Sequence, residues 1–210
     1  NIYRSFDELV KVRRYPTSSA DFDYEAKCDK PTDKREIYVM IIGEASRAAN
    51  WQLYGYDRAT NPRLSTEENL VVYKNVVTQC NATHKSVPLI LSSVSADNHS
   101  EIYERRGIVQ LYKDAGFRTL VVSCQAPNRS LIQMMCDEAD QTIYMNGLND
   151  GAMLEPLRET IAADTSDLFV ILHCYGSHFN YRERYPNQFS QFTPDDDVSI
   201  SKKNRERMVN

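Results

Sequence analysis

The stretch Ile37-Tyr38-Val39-Met40-Ile41-Ile42-Gly43-Glu44 decides the fold. A short, unbroken apolar run stopped by a glycine reads as a buried strand of a largely parallel sheet. Residues 118–123 (RTLVVS) and 167–172 (DLFVIL) repeat the pattern, with 70–77 (LVVYKNVV) and 141–145 (QTIYM) as weaker versions. Helical spacing lies between them. Over 101–115, Ile102, Ile108, Val109 and Leu111 or Tyr112 share a side and the run stops at Gly116, where a C-cap glycine belongs. Over 151–163, Met153, Leu154, Leu157 and Ile161 make a second stripe. Strands alternating with helices predict an α/β fold, a mainly parallel sheet covered on both faces. Residues 15–36 and 180–210 are polar, rich in Pro, Asn, Asp and Arg, and read as loops or edge structure.

Composition narrows the function. The 210 residues suffice for one ordinary domain, and 41% hydrophobic against 26% charged is a globular mixture. A net charge of -4 argues against a broad grip on nucleic acid, which needs a basic face. No apolar run approaches the roughly 20 residues that span a bilayer, and Asn1 is not a start residue, so the chain is expected to be a piece of a longer protein. Cys28, Cys80, Cys124, Cys136 and Cys174 form no C-x-x-C pair, which makes a structural zinc ribbon improbable. Two bridges are possible and none is compelled; Cys124 and Cys174, at the ends of apolar runs, suit burial as thiols.

In a parallel sheet, ligands gather where strand C-terminal ends meet loops. Glu44, one residue past Gly43, is either a ligand for a hard or borderline cation or an acid favouring the dipole of a helix over 46–54. Thr83, ahead of Ser86-Val87-Pro88 and Leu89-Ile90-Leu91, marks a helix start. Its hydroxyl can be an N-cap, or a nucleophile activated by a metal beside amides that bind phosphate. His173 and His178 flank a turn with Gly176 and read equally as phosphate or metal contacts or as a buried, hydrogen-bonded histidine. His84 and His99 sit in polar surroundings. Lys11-Val12-Arg13-Arg14 can touch anionic lipid or simply be solvated.

Three strings then carry a resemblance. Gly43-Glu44, Arg47-Ala48-x-Asn50 and the run from Gly55 to Leu64 (GYDRATNPRL) come first; Asn81-Ala82-Thr83-x-x-Ser86-Val87-Pro88 follows. Last come Leu172-His173-x-x-Gly176-Ser177-His178 and the downstream Tyr181, Arg184-Tyr185-Pro186, Phe189 and Phe192-Thr193-Pro194. In this order, over residues 39–194, they resemble the phosphoethanolamine transferases, which include the mobile colistin-resistance proteins. The resemblance implies a three-layer α/β/α domain like alkaline phosphatase and the sulfatases, truncated here at its C-terminal part, on the periplasmic face of the bacterial inner membrane. Residues 1–210 would be part of the catalytic domain, with a membrane domain and a C-terminal metal-ligand segment outside them. It implies Glu44 and Thr83 as zinc ligands (zinc ahead of manganese), and Thr83 as the nucleophile taking phosphoethanolamine from phosphatidylethanolamine. His178, Gln125 and His173 would bind substrate, and a lipopolysaccharide acceptor, lipid A or core sugar, would receive the group; nucleic acid has no part.

The sequence also departs from the pattern. Ala45 stands where relatives commonly have Thr and Ala49 where Asp is usual; Leu89 replaces the second cysteine of a loop bridge. Gln133 falls where the colistin-resistance branch has a substrate Lys, while Ser123-Cys124-Gln125 is similar to the Ser-Asn-Gln of the core-sugar branch. The Asp-His pair that completes the family's zinc site occurs nowhere in the 210 residues, so these residues alone are expected to be inactive. The alternatives are a phosphoglycerol transferase or phosphodiesterase of the same superfamily, or a degenerate binding module. A sulfatase activity is disfavoured, because Cys80-Asn81-Ala82-Thr83-His84 lacks the Pro and Arg of C/S-x-P-x-R.

Overall fold

The computed structural model describes residues 2–29, 33–193 and 195. Helix α1 spans Ile2–Ser18. Strand β1 (Ile37–Ile42) follows, then short 3-10 turns through Thr66 and helix α2 (Thr83–Ile90). Helix α3 (Ile108–Asp114), strand β2 (Arg118–Ser123), helix α4 (Leu131–Cys136) and strand β3 (Gln141–Tyr144) come next. Helix α5 (Leu154–Ala163) and strand β4 (Leu168–His173) complete the order. The four strands form one sheet in the order β1-β4-β2-β3, every pair parallel. Ile42 and Ser123 both stand opposite His173, so three strands end in step at one edge.

Side-chain alternation makes the layers. Val121, Phe169 and Ile171 point into a core with Val12 and Tyr15 of α1, Val87 and Leu89 of α2, Val109 of α3 and Leu131 and Met135 of α4. Leu120, Val122, Leu168, Val170 and Leu172 point the other way, against Met153 and the Leu157 and Ile161 of α5. The expected sheet with both faces covered is what forms.

Several elements differ from the sequence reading. Residues 70–77 are no strand: Val71, Tyr73, Val76 and Val77 are exposed, and no neighbouring strand takes up their backbone groups. Strand β1 is not buried either. It pairs with β4 alone among the described residues, and Tyr38 and Ile41, on its two opposite faces, are 45% and 66% exposed. The helix read over 101–115 breaks, because backbone groups near its middle bond elsewhere: Gly107 N–H donates to Glu138 Oε2 (2.9 Å) and Ile108 N–H to the Leu91 carbonyl (2.6 Å). Its second part does end at Gly116, φ +88°, as a C-cap glycine. The helix expected over 46–54 is two 3-10 turns. The loop reading holds over 19–29 but not over 15–18, which belong to α1; residues 194 and 196–210 of the second polar stretch lie outside the described residues.

Helix α1 is fastened through a buried carboxylate. Tyr15 O–H donates to Glu138 Oε1 (2.6 Å), Gly107 N–H reaches both Glu138 oxygens, and the Arg106 guanidinium stands 3.8 Å away. Arg106 also donates to the Ser19 carbonyl at the end of α1. Burial pushes Glu138 up from the usual carboxylate range, against the lowering effect of Tyr15, Gly107 and Arg106. All five cysteines are free thiols; Cys124 and Cys136 are buried, Cys174 half-buried.

Candidate active site

The ends of β1, β2 and β4 set the stage. Past Gly43 the chain turns sharply, with Ala45 at φ +48°, a left-handed conformation that side chains resist. The turn leaves Glu44 pointing inward at 7% exposure. Opposite it, α2 begins at Thr83, and Ala82, the residue before, is extended and offers no capping side chain. Thr83 does not cap its own helix. Its hydroxyl lies 3.0 and 3.1 Å from the two Glu44 oxygens and donates to them. A carboxylate and a hydroxyl thus meet at the sheet edge.

Gln125, just past β2, closes the other side. Its Nε2 lies 3.0 Å from Glu44 Oε2, 3.0 Å from the Cys174 carbonyl and 3.1 Å from His173 Nε2. His173 is 2% exposed, and its Nδ1 lies 3.3 Å from Ser123 Oγ. Burial holds the imidazole below its usual pKa against the raising effect of Glu44 and Asp150, so it is neutral at neutral pH. Gln125 and His173 therefore sit behind the carboxylate and orient it. Gln125, read from the sequence as a substrate contact, spends its amide on Glu44.

His178 is half-buried on the turn after β4, packed between the rings of Tyr175 and Phe179 at centroid distances of 4.8 and 4.2 Å. Its described contacts do not include Glu44 or Thr83. The turn that carries it is pinned by a residue the sequence reading passed over. Asp150 accepts from Tyr175 N–H (2.8 Å) and Gly176 N–H (2.9 Å), and a Cβ on residue 176 would overlap Asp150 Oδ2. The signals were Asp150 ahead of a glycine and Gly176 between the histidines. The long 55–64 string is explained by the loop itself: Thr60 Oγ1 donates to the Asn50 carbonyl (2.8 Å), while Asn61 accepts from Leu53 N–H (3.1 Å).

The donor set suits a cation in part. Glu44 is a buried carboxylate whose partners, Thr83 and Gln125, are both neutral, and buried carboxylates ordinarily have a counter-charge. Two oxygen donors facing one point fit half of a four-ligand zinc site. Among the described residues no group of three His, Cys, Asp or Glu could hold a metal ion.

A model of the family described as Sulfatase matches residues 36–205. The chain belongs to the sulfatase family. This sulfatase-family chain is 32% identical over 191 residues to phosphoethanolamine transferase EptA of Escherichia coli (strain K12), covering 84% of the chain and 34% of EptA. It therefore spans about a third of the length of that curated relative. Among solved structures, the C-terminal periplasmic domain of Escherichia coli EptC, a complex with Zn, superposes with a TM-score of 0.74 at 24% identity, over 86% of this chain and 55% of that one. The integral membrane protein lipooligosaccharide phosphoethanolamine transferase A of Neisseria meningitidis gives 0.72 at 24%, over 90% and 38%. Both bear out the α/β fold. Among the described residues, no helix is long and apolar enough to cross a membrane.

Proposed function

We propose that the chain carries part of the catalytic centre of a phosphoethanolamine transferase that works through a covalent phospho-threonine. The observation that carries this is the Thr83 hydroxyl directed at both oxygens of the buried Glu44. Kinship with enzymes named phosphoethanolamine transferases supplies the reaction class. Zinc, held by Glu44 and Thr83 together with ligands from outside the described residues, would lower the hydroxyl's pKa and offset charge on the phosphoryl group.

Thr83 Oγ1 attacks the phosphorus of phosphatidylethanolamine. An O–P bond forms to threonine, the P–O bond to diacylglycerol breaks, and diacylglycerol leaves with the proton that Thr83 gave up. An oxygen of the lipopolysaccharide acceptor, on lipid A or a core sugar, then attacks the same phosphorus. The phosphoethanolamine passes to it and the acceptor's proton restores the Thr83 hydroxyl. Splitting the transfer in this way predicts ping-pong kinetics. Glu44 holds the free Thr83 hydroxyl before attack and again after release, and Gln125, backed by His173 and Ser123, fixes Glu44. His178, on the turn pinned by Asp150, would contact the phosphoryl or ethanolamine group. One solved relative is an integral membrane protein and another a periplasmic domain, which supports a working position at the periplasmic face of the inner membrane.

Peptide mass mapping of Thr83 in the full-length protein, after incubation with phosphatidylethanolamine and zinc, tests the reading. A phosphoethanolamine adduct on Thr83, absent in Thr83→Ala, is expected. A phosphoglycerol adduct from phosphatidylglycerol in a parallel incubation with none from phosphatidylethanolamine, or donor hydrolysis with no adduct while metal is bound, would overturn it.

A further inference from the structure

A second cavity lies across α2 from Thr83. It holds about 260 Å³ between α1, the first turns of α2 and the start of α4, and neither Glu44 nor Thr83 lines it. Its floor is apolar, built from Leu9, Val12, Pro88 and Leu131. Its rim carries Lys85 and Arg129, with the His84 imidazole beside them and Glu8 as the opposing charge. Neither cation is paired with a carboxylate among the described residues, although ion pairs are common elsewhere in the chain: Lys11 with Asp7, Arg105 with Glu101, Lys113 with Asp140.

The rim is held in place. Arg129 adopts φ +56°, a left-handed backbone that a side-chain-bearing residue takes only when its surroundings impose it. Its N–H donates to Gln133 Oε1 (2.6 Å), and the next residue, Ser130, caps α4 through Gln133 N–H. The apolar floor continues outward: Phe6 and Leu9, one helical turn apart on α1, are 67% and 43% exposed.

We infer that this cavity binds a phosphate group borne by a lipid, with Lys85 and Arg129 on the phosphate and the Leu9–Phe6 strip along the first part of an acyl chain. Charge complementarity selects the headgroup, because a guanidinium and an ammonium lining one cavity, neither paired with a carboxylate among the described residues, match the several acceptor oxygens of a phosphate. The apolar floor and the strip beside it favour an anchored phosphate over a free one. The site lies apart from the Thr83 hydroxyl and does not depend on the transfer chemistry. Its position suits a protein that works on amphiphiles: it would hold a phosphate other than the one at the reacting atom.

Titration of the protein with dihexanoyl phosphatidate below its micelle concentration, read by calorimetry and by the amide signals of Val12 and Leu131, tests the inference. Lys85→Gln/Arg129→Gln is expected to weaken binding at least about tenfold, a change of about 1.4 kcal/mol. Inorganic phosphate should bind about tenfold more weakly than the phosphatidate, and dihexanoyl phosphatidylcholine, whose choline brings a cation to the rim, more weakly still. Glu8→Gln, which removes the opposing charge, should tighten binding two- to threefold, by the order of a surface charge contact; this gain cannot come from misfolding. Thr83→Ala should bind as the parent does, so failure of the proposed transfer reaction would leave this result standing. Unchanged binding in the double variant would overturn the inference. Inorganic phosphate as tight as phosphatidate would reduce the cavity to an ion site, and phosphatidylcholine as tight would reduce it to an apolar groove; either result overturns the assignment to a lipid phosphate.

Discussion

Two glutamates are buried to the same degree, Glu44 at 7% and Glu138 at 8%, and their surroundings could hardly differ more. Glu138 is saturated: a tyrosine hydroxyl, a backbone amide shared by both oxygens and a guanidinium at the edge of reach. Those donors come from α1 and from the segment ahead of α3, so the carboxylate is a rivet. Glu44 receives a threonine hydroxyl and a carboxamide, both neutral. A buried carboxylate needs donors that offset its desolvation; Glu138 has a guanidinium among its own, although burial still outweighs them, while the donors to Glu44 are neutral. Under the proposed function, the contrast separates a carboxylate that builds the fold from one that serves the transfer.

Replacing each by glutamine breaks the comparison if it is wrong. Glu44→Gln is expected to lower Thr83 adduct formation in the full-length protein by more than about 100-fold, beyond the usual cost of an outer-shell partner. Its stability should change by less than about 1 kcal/mol, because glutamine still accepts from Thr83. Glu138→Gln should do the reverse. The carboxamide puts an NH2 where one oxygen accepted, so either the Tyr15 O–H or the shorter of the two Gly107 N–H bonds loses its acceptor, at about 1–3 kcal/mol, while adduct yield per folded molecule stays at the parent level. Urea denaturation alongside mass mapping reads both columns, and a shared loss in the same column would merge the two sites into one.

Asp150 sharpens the contrast as a third, intermediate case, a carboxylate that clamps a functional turn. Gly176→Ala pushes a methyl onto Asp150 Oδ2 and must shift the turn that carries His178. About a tenfold fall in adduct formation is expected, the lower end for residues that orient a site, together with a stability loss of about 1–3 kcal/mol from overpacking. A fall in stability alone would make the clamp purely structural. Tyr15→Phe is milder: it removes one donor from Glu138 and should cost about 1 kcal/mol in denaturation, with no effect on the Thr83 adduct.

What was legible in the sequence follows the range of the interactions. Strand β2 was bounded to the residue by its apolar run, Gly116 marked the end of α3, and the start of α2 was visible in Thr83 and the proline after it. These are local signals. The Glu138 rivet joins residues 123 apart in the chain, and nothing near Glu138 or Tyr15 announces it. Helix α1 was missed because its buried stripe is thin, Val12 and Tyr15, within a polar segment that contains Pro16. Residues 70–77 misled in the opposite sense: β-prone side chains make a strand only where a partner strand offers its backbone. At the site, the meeting of Glu44 with Thr83 was foreseeable from the motifs they sit in. The use of Gln125 on Glu44, and of Asp150 on the turn, depended on how β2 and β4 end side by side.

The smallest expected effect is also the most specific to Glu138. Burial raises its folded-state pKa, so the folded protein holds that proton more tightly than the unfolded chain does. Its contribution to stability is then fully present below the unfolded value, about 4.3, and is lost as pH rises through the raised folded value. Asp164 runs the other way. Held down to about 2 by the Ser166 hydroxyl and amide and by Arg118, it contributes above the ordinary aspartate range and loses that contribution only as pH falls toward 2. In the window from about pH 4.5 up through the raised folded value of Glu138, Asp164 is therefore silent and Glu138 is not. Over that window the stability advantage of the parent over Glu138→Gln should shrink with rising pH, as the parent pays to ionise a carboxylate that the variant lacks. An advantage that grows with pH would mean that the Tyr15–Gly107–Arg106 cage stabilises the ionised form more than burial opposes it, and the rivet would then be an ion pair with Arg106 in substance as well as in proximity.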